Sequence, residues 1–321
     1  MWFGAGKLAV DELVEPSAGP GEVVVEVLRA GICGSDLHAY RGRAGGRQPP
    51  LVLGHEAVGR VDGNGEAFAI FPLTGCGTCV LCRGGSENLC PRRSLLGLDR
   101  QGTLAERVVV PRSCLIQLPE GLSTDDAVLA EPLATSLSVL AATSPAESIV
   151  IIGCGAIGLL ALHAAMHDTG GTQVSVEVVD PVASRRKVAI ELGASQAHPS
   201  LDELRSSAAD LVIDAVGVEE TWTGAVRAAR PGGTVAVIGL GQVTGNVPMG
   251  EVVRSGITLR GSYAYSRGDF ERALALLAAR PLSLGIVTTM TLEEGPAAFR
   301  VLTEQPERAV KIVLRPARGR G

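Results

Sequence analysis

Ile149–Leu162 reads IVIIGCGAIGLLAL, and this short stretch decides the fold. Ile149 to Ile152 form an unbroken apolar run with the length and β-branched character of a buried strand. The run stops at Gly153-Cys154-Gly155-Ala156-Ile157-Gly158, a G-x-G-x-x-G that leads straight into an apolar helical pattern. Three glycines alone make only a turn; between a strand and a helix they make a site for a dinucleotide. Gly153 is placed at the tight turn and Gly155 where the backbone comes close to a pyrophosphate. Gly158 is placed where helix and strand touch, with Ala156 and Ile157 opening the helix whose N-terminus faces the phosphates. The stretch carries no charge, yet it is shorter than the roughly 18 to 20 residues that span a bilayer, so it reads as a folded interior.

Asp180 stands twenty-two residues after Gly158, at the end of the apolar strand Val174 to Val179. That is close to the ~20 expected for a carboxylate that binds a ribose 2′-hydroxyl. Such a carboxylate repels a 2′-phosphate and favours NAD. Arg185 and Arg186 keep NADP open as the alternative, although a solvated helix face is the plainer reading of both. Two further buried runs, Leu211 to Asp214 and Thr234 to Ile238, follow with helical patterns between them. Strand and helix in regular alternation imply right-handed crossovers and a doubly wound parallel sheet covered on both faces.

Before this region the text is mostly β. Val23, Val25 and Val27 alternate with polar neighbours from Gly21 to Arg29, and Val52 to Val61 and Val108 to Val110 continue a pattern of short strands. Ser123 with Asp126 resembles a capping box and marks the change of pattern. After the alternating region come a helix from about Asp269 to Ala279 and a strand at Val310 to Leu314, both candidates to return to the first domain.

Two sets of metal-ligand residues lie in that first part. Cys76, Cys79, Cys82 and Cys90 sit in CGTCVLCRGGSENLC, a spacing that encloses a tetrahedral zinc ion with no open position, hence a structural centre. An iron–sulfur cluster is the alternative, but the last gap is seven residues rather than three and no second cluster set exists. The other set is Cys33, in Gly31-Ile32-Cys33-Gly34-Ser35-Asp36-Leu37-His38, then Gly54-His55-Glu56, and much later Glu131 before Pro132. Sulfur, imidazole and carboxylate leaving one position vacant are a catalytic zinc arrangement. Taken singly, Cys33 is a small buried hydrophobe, His55 a satisfied core histidine and Glu131 a solvated charge; together they carry more. Asp36 is expected to support the ligands, and Pro132 to hold the backbone at Glu131 out of helix. His163 and His167 lie four apart on the helix after the glycine turn without a third ligand, and read as structural.

The bulk numbers set the frame. A chain of 321 residues, 46% hydrophobic and 20% charged, has room for two globular domains. A net charge of −5 without a basic patch argues against nucleic acid and anionic membrane as partners. Cysteines grouped as ligands and the lack of a secretory leader pattern fit a reducing cytoplasm.

In the order of these motifs the chain resembles the zinc-dependent medium-chain alcohol dehydrogenases, and the match runs over nearly its whole length. The resemblance implies a GroES-like, mostly β catalytic domain, residues 1–133 and 262–321, carrying the zinc lobe at 76–90. It also implies a Rossmann cofactor domain at 134–261. It implies two zinc ions per chain, with Cys33 and His55 as catalytic ligands and Glu56 and Glu131 as candidates for a third or a water-mediated one. It maps Ser35 and His38 onto a proton relay and sets Thr135 near the nicotinamide. Glu131, where ethanol-oxidising members carry cysteine, looks like the branch of sorbitol, threonine and butanediol dehydrogenases. A small-molecule polyol or diol substrate and a homodimer or homotetramer are implied with it. The chain departs from the family pattern in having fewer residues before Trp2, where a clipped first strand is expected, and in a shortened loop from Asp62 to Ala69. An NADP-linked ketone or sugar reductase and a catalytically silent zinc and nucleotide binder are the competing readings.

Overall fold

The computed structural model describes residues 1–61, 65–141, 143, 145–168, 174–204, 207–282 and 287–316. The chain divides into two units, one made of Met1–Glu131 with Ser266–Gly321 and the other of Pro132–Tyr265.

In the second unit six parallel strands form one sheet. Their spatial order is Gln196–His198, Ser175–Val179, Ser148–Ile152, Ala209–Asp214, Ala229–Val237 and Thr258–Gly261. Numbered along the chain this is 3-2-1-4-5-6, the order of a doubly wound dinucleotide fold. The strand order reverses beside Ser148–Ile152, so the crevice at that reversal opens at the glycine turn that follows. Ile149, Ile151 and Ile152 are buried, and Ile152, Val212, Ala225 and Val235 share one core cluster on the helix-covered sheet.

In the first unit Glu22–Gly31 is the central strand. Val23, Val25 and Val27 point inward with their neighbours half-exposed, as the alternation predicts. It pairs antiparallel with Glu56–Val61, Arg107–Pro111 and, from the far end of the chain, Lys311–Arg315. Lys311–Arg315 runs parallel to Val287–Thr291, with helix Gly295–Glu304 between them in sequence. Trp2, Phe299, Ile312 and Leu314 lie in one buried cluster that joins the two ends of the chain.

Three local expectations need correction. The run Val52 to Val61 does not form one strand: Gly54 takes φ 94°, a left-handed conformation that breaks the extended chain, and the strand starts at Glu56. Val52, Leu53 and Gly54 instead accept backbone hydrogen bonds from Gly102, Leu104 and Thr103. Pro132 does not keep Glu131 out of helix; both lie in the first turn of Ala130–Ala141, where the N–H that proline lacks has no helical partner in any case. Of the loop expected from Asp62 to Ala69, residues 62–64 lie outside the described residues, and Ala67–Ile70 is a strand paired with Glu56–Val61.

Candidate active site and metal centres

The four-cysteine lobe is built by two short helical turns. Cys79 caps Val80–Arg83, its sulfur accepting from the Cys82 N–H at 3.4 Å, and Cys90 ends the turn Glu87–Leu89. The Cys76 and Cys82 sulfurs stand 3.9 Å apart, and those of Cys79 and Cys90 3.8 Å apart. Zinc–sulfur bonds of ~2.3 Å at tetrahedral angles require about 3.8 Å between sulfurs, so the four thiols fit one zinc ion. An iron–sulfur cluster spreads its four thiolates over two or more irons, and four sulfurs that all lie within 4.8 Å of one another leave no room for that. Backbone N–H groups of Cys76 and Arg92 also point at the Cys90 sulfur, each at 3.4 Å. Glu87 ties the lobe to the unit by accepting from the Arg267 N–H at 2.8 Å.

The second cluster forms where Glu22–Gly31, helix Gly34–Tyr40 and Glu56–Val61 meet. Ligand atoms of Cys33, His55 and Glu56 all lie within 4.8 Å of one another. Cys33 caps the helix, and Asp36 closes a capping box by accepting from the Cys33 N–H at 3.1 Å. The same buried carboxylate takes the Gly54 N–H at 3.4 Å and faces His55 Nδ1 at 3.9 Å, so one side chain steadies both ligand-bearing segments. Glu56 is fully buried and ion-paired with the buried Lys311, whose ammonium also donates to the Ile32 carbonyl at 3.0 Å. A side chain at position 31 would overlap Glu56, since a Cβ there would stand 1.9 Å from Oε2; this is a close approach that only Gly31 allows.

His55 Nδ1 and Glu56 Oε1 are buried without a hydrogen-bond partner. Burial, and next the Glu56 charge, pushes the Cys33 thiol up to about 12. Thiol, imidazole and carboxylate crowded in this way form a donor set that fits a further cation beside Lys311. A zinc ion suits the donor set, because a coordinated thiol is deprotonated outright. Glu131 is buried at 9% exposure and contributes to the field that holds Lys311 charged, but it does not belong to the three-residue ligand cluster.

Ser35 and His38 lie three apart on helix Gly34–Tyr40, on one face. Arg47 donates to Ser35 Oγ at 3.1 Å, and Arg43 Nη2 meets His38 Nδ1 at 2.6 Å. Burial, then Arg43, Arg41 and Arg47, holds His38 below the ordinary histidine range.

In the second unit Gly153 takes φ 94° at the turn. A Cβ on Gly158 would lie 1.8 Å from the Gly153 carbonyl, so helix Ala156–His167 packs on the strand only through glycine. A Cβ on Gly155 would meet nothing within 4 Å; it would fill the open space in front of a helix start that no side chain caps. Asp180 is buried, its Oδ2 accepting from the Cys154 N–H and its Oδ1 from the Val182 N–H, each at 2.8 Å. Arg185 Nη1 is 3.9 Å from the Asp180 carboxylate, and Arg186 donates to the Asp180 carbonyl at 2.6 Å. These features fit a dinucleotide with free ribose hydroxyls. Thr135, half-buried, precedes Ser136, which ties its helix to the Ile157 carbonyl at 3.1 Å. Cys154 is buried and its thiol is pushed up to about 12, chiefly by burial, which makes it a poor target for oxidation.

Sequence reasoning missed Lys311, Arg47 and Asp214. A lysine opening the apolar strand KIVL was a readable signal. Asp214 accepts from the Val216 and Gly217 N–H groups and from Thr221, and so fixes the loop beside Gly153; nothing in a strand-ending aspartate announced that.

Fold and donor sets together define a two-unit zinc- and dinucleotide-binding oxidoreductase. Residues 19–120 match the alcohol dehydrogenase GroES-like domain and residues 156–279 the zinc-binding dehydrogenase domain. A protein of Mycobacterium tuberculosis named as a probable zinc-binding alcohol dehydrogenase is 34% identical, over 98% of this chain and 87% of its own length. L-galactonate-5-dehydrogenase of Escherichia coli is 32% identical, over 92% and 90%. The alcohol dehydrogenase of Thermus sp. ATN1 superposes with a TM-score of 0.86 at 30% identity, over 98% of this chain and 99% of its own. The chain belongs to the zinc-binding alcohol dehydrogenase family, oxidoreductases of CH–OH groups that use zinc and a nicotinamide cofactor.

Proposed function

We propose that this protein oxidises a secondary alcohol with NAD, the substrate being a polyol, a vicinal diol or a related sugar or cyclitol. The observation that carries the reading is the convergence of Cys33, His55 and Glu56 on one volume, beside a helix that bears Ser35 and His38. The relative named L-galactonate-5-dehydrogenase supports a polyhydroxylated substrate.

In this reading residues 1–133 and 262–321 are the catalytic domain and 134–261 the cofactor domain. Cys33 and His55, with Glu56 and Glu131 as the candidates for a third or a water-mediated ligand, would hold a zinc ion that acidifies the substrate hydroxyl, and NAD would supply the hydride acceptor. Ser35 accepts the hydroxyl proton and His38 passes it to solvent. Gly153, Gly155, Ala156, Ile157 and Gly158 cradle the pyrophosphate, and Thr135 contacts the nicotinamide. Asp180 keeps a lone pair on each oxygen for a ribose hydroxyl after its two backbone bonds, which favours NAD over NADP. A second zinc on Cys76, Cys79, Cys82 and Cys90 is structural.

The exposed edge strand Thr258–Gly261, with Leu259 at 40% exposure, supports a homodimer or homotetramer through sheet pairing. Cysteines grouped as metal ligands rather than paired as disulfides support a cytoplasmic setting. No helix among the described residues is long and apolar enough to cross a membrane.

The test is NADH formation by zinc-loaded protein over a panel of polyols, diols and simple alcohols, with NADP in parallel and zinc counted by mass spectrometry. Two zinc ions and NAD turnover on one polyol class are expected. NADP turnover alone would move the reading to a reductase, and two zinc ions with no turnover on any substrate would overturn it.

A further inference from the structure

The segment that follows helix Gly34–Tyr40 carries Arg41, Arg43 and Arg47. Arginine is seldom fully buried unless paired, yet Arg47 is 5% exposed. Its Nε donates to the Gly97 carbonyl at 2.7 Å, and its Nη2 to Ser35 Oγ at 3.1 Å and to Asp36 at 3.4 Å. Four residues earlier, Arg43 Nη2 stands 2.6 Å from His38 Nδ1. One segment thus sets a guanidinium on each of the two relay groups.

A guanidinium has five N–H donors and no acceptor. Two consequences follow from that alone. Ser35 Oγ accepts from Arg47, so its own hydrogen points away from the arginine and its second lone pair stays open. His38 Nδ1 accepts from Arg43, so the imidazole is neutral with its hydrogen on Nε2. The ring has only that one lone pair, and an imidazolium would set N–H against N–H.

We propose that Arg47 and Arg43 are positioning residues of the relay, Arg47 orienting the Ser35 hydroxyl and Arg43 holding His38 in its Nε2–H tautomer until a proton arrives. This rests on the relay reading of Ser35 and His38. In the step, the substrate O–H bond breaks as Ser35 Oγ takes that proton. Ser35 passes its own hydrogen on toward His38, a proton reaches Nδ1 as the Arg43 hydrogen bond is released, and His38 loses its Nε2 proton to water, which leaves the ring with its hydrogen on Nδ1. Arg43 returns to Nδ1 only after water has given a proton to Nε2 and taken the one on Nδ1, which restores the starting tautomer. Proton uptake by His38 and departure of Arg43 are one event. The charged groups bearing on the ring are Arg43, Arg41 and Arg47; Arg41 is held on the neighbouring helix Gly295–Glu304 by the Thr303 carbonyl at 2.8 Å.

The test uses zinc-loaded full-length protein with ¹⁵N-histidine, the His38 signals being assigned by their loss in His38→Asn. Long-range proton–nitrogen spectra at neutral pH are expected to show Nδ1 as an unprotonated acceptor and Nε2 carrying hydrogen. Arg43→Met should mix the tautomers and raise the pKa of the acid limb of kcat by roughly half to one unit with KM unchanged, and Arg43→Lys should restore both. Arg47→Ala should lower kcat about tenfold at constant KM, with recovery in added guanidinium. Arg47 also balances buried Asp36 and its variants can fail to fold, so the exposed Arg43 decides. Unchanged His38 nitrogen signals and an unchanged acid limb in Arg43→Met would overturn the proposal. A wild-type protein with the expected tautomer but no turnover on any alcohol would instead overturn the relay reading, leaving the Arg43–His38 contact in place.

Discussion

Lys311 carries more than its charge suggests. Burial works against its ammonium, yet the nearby Glu56 and Cys33 outweigh that penalty and hold its pKa above the ordinary value. Removing one partner of a buried pair leaves a bare charge, so Lys311→Met should cost about 3–5 kcal/mol in urea unfolding of zinc-free protein. Lys311→Met with Glu56→Gln should recover most of that loss, since neither charge is then stranded. His38 behaves in the opposite sense. Burial and then its arginine neighbours keep it neutral below the ordinary histidine pKa, so on acidification the unfolded chain takes up this proton first. The contribution of His38 is therefore complete above pH ~6.5 and declines as pH falls from there toward its lower folded pKa. Denaturation midpoints of wild type and His38→Asn should converge as pH falls through that window.

The glycine turn separates binding from folding within one element. Gly155 opens on empty space and Gly158 on the Gly153 carbonyl, although the two are equivalent letters of one motif. Gly155→Val should keep stability within about 1 kcal/mol while weakening dinucleotide binding more than tenfold by calorimetry, because the added methyls occupy the approach to the helix start. Gly158→Val should lose about 3 kcal/mol or more, because strand and helix must part to admit it. If both variants lose stability equally, the cradle assigned to Gly155 is wrong.

For the whole molecule, the glycine turn and the metal-ligand sets proposed above belong to different units, Pro132–Tyr265 holding the turn and the remainder both ligand sets. NAD at a hundred times its Kd should therefore stabilise by about 2.7 kcal/mol whether or not zinc has been chelated. Scanning calorimetry checks this, and a gain that vanishes with zinc would tie cofactor binding to the metal. What could be read from the chain alone follows the range of the interactions. Strand, turn and helix at Ile149–Leu162, and four cysteines from Cys76 to Cys90, are neighbours along the backbone, and covalent spacing limits how they can fold. Fold class, dinucleotide turn and zinc lobe were legible for that reason. Cys33, His55 and Glu56 were legible as a candidate donor set with Asp36 as its support, whereas Lys311 and Arg47, which also surround it, were not. Lys311 reaches Glu56 because Lys311–Arg315 pairs with the strand before Cys33, and Asp36 joins Cys33 to Gly54 because a capping turn aims one carboxylate at two segments. Such partners meet through strand register and burial, which no local spacing encodes; the sequence by itself determined the kinds of site, and the tertiary structure decided which charges surround them.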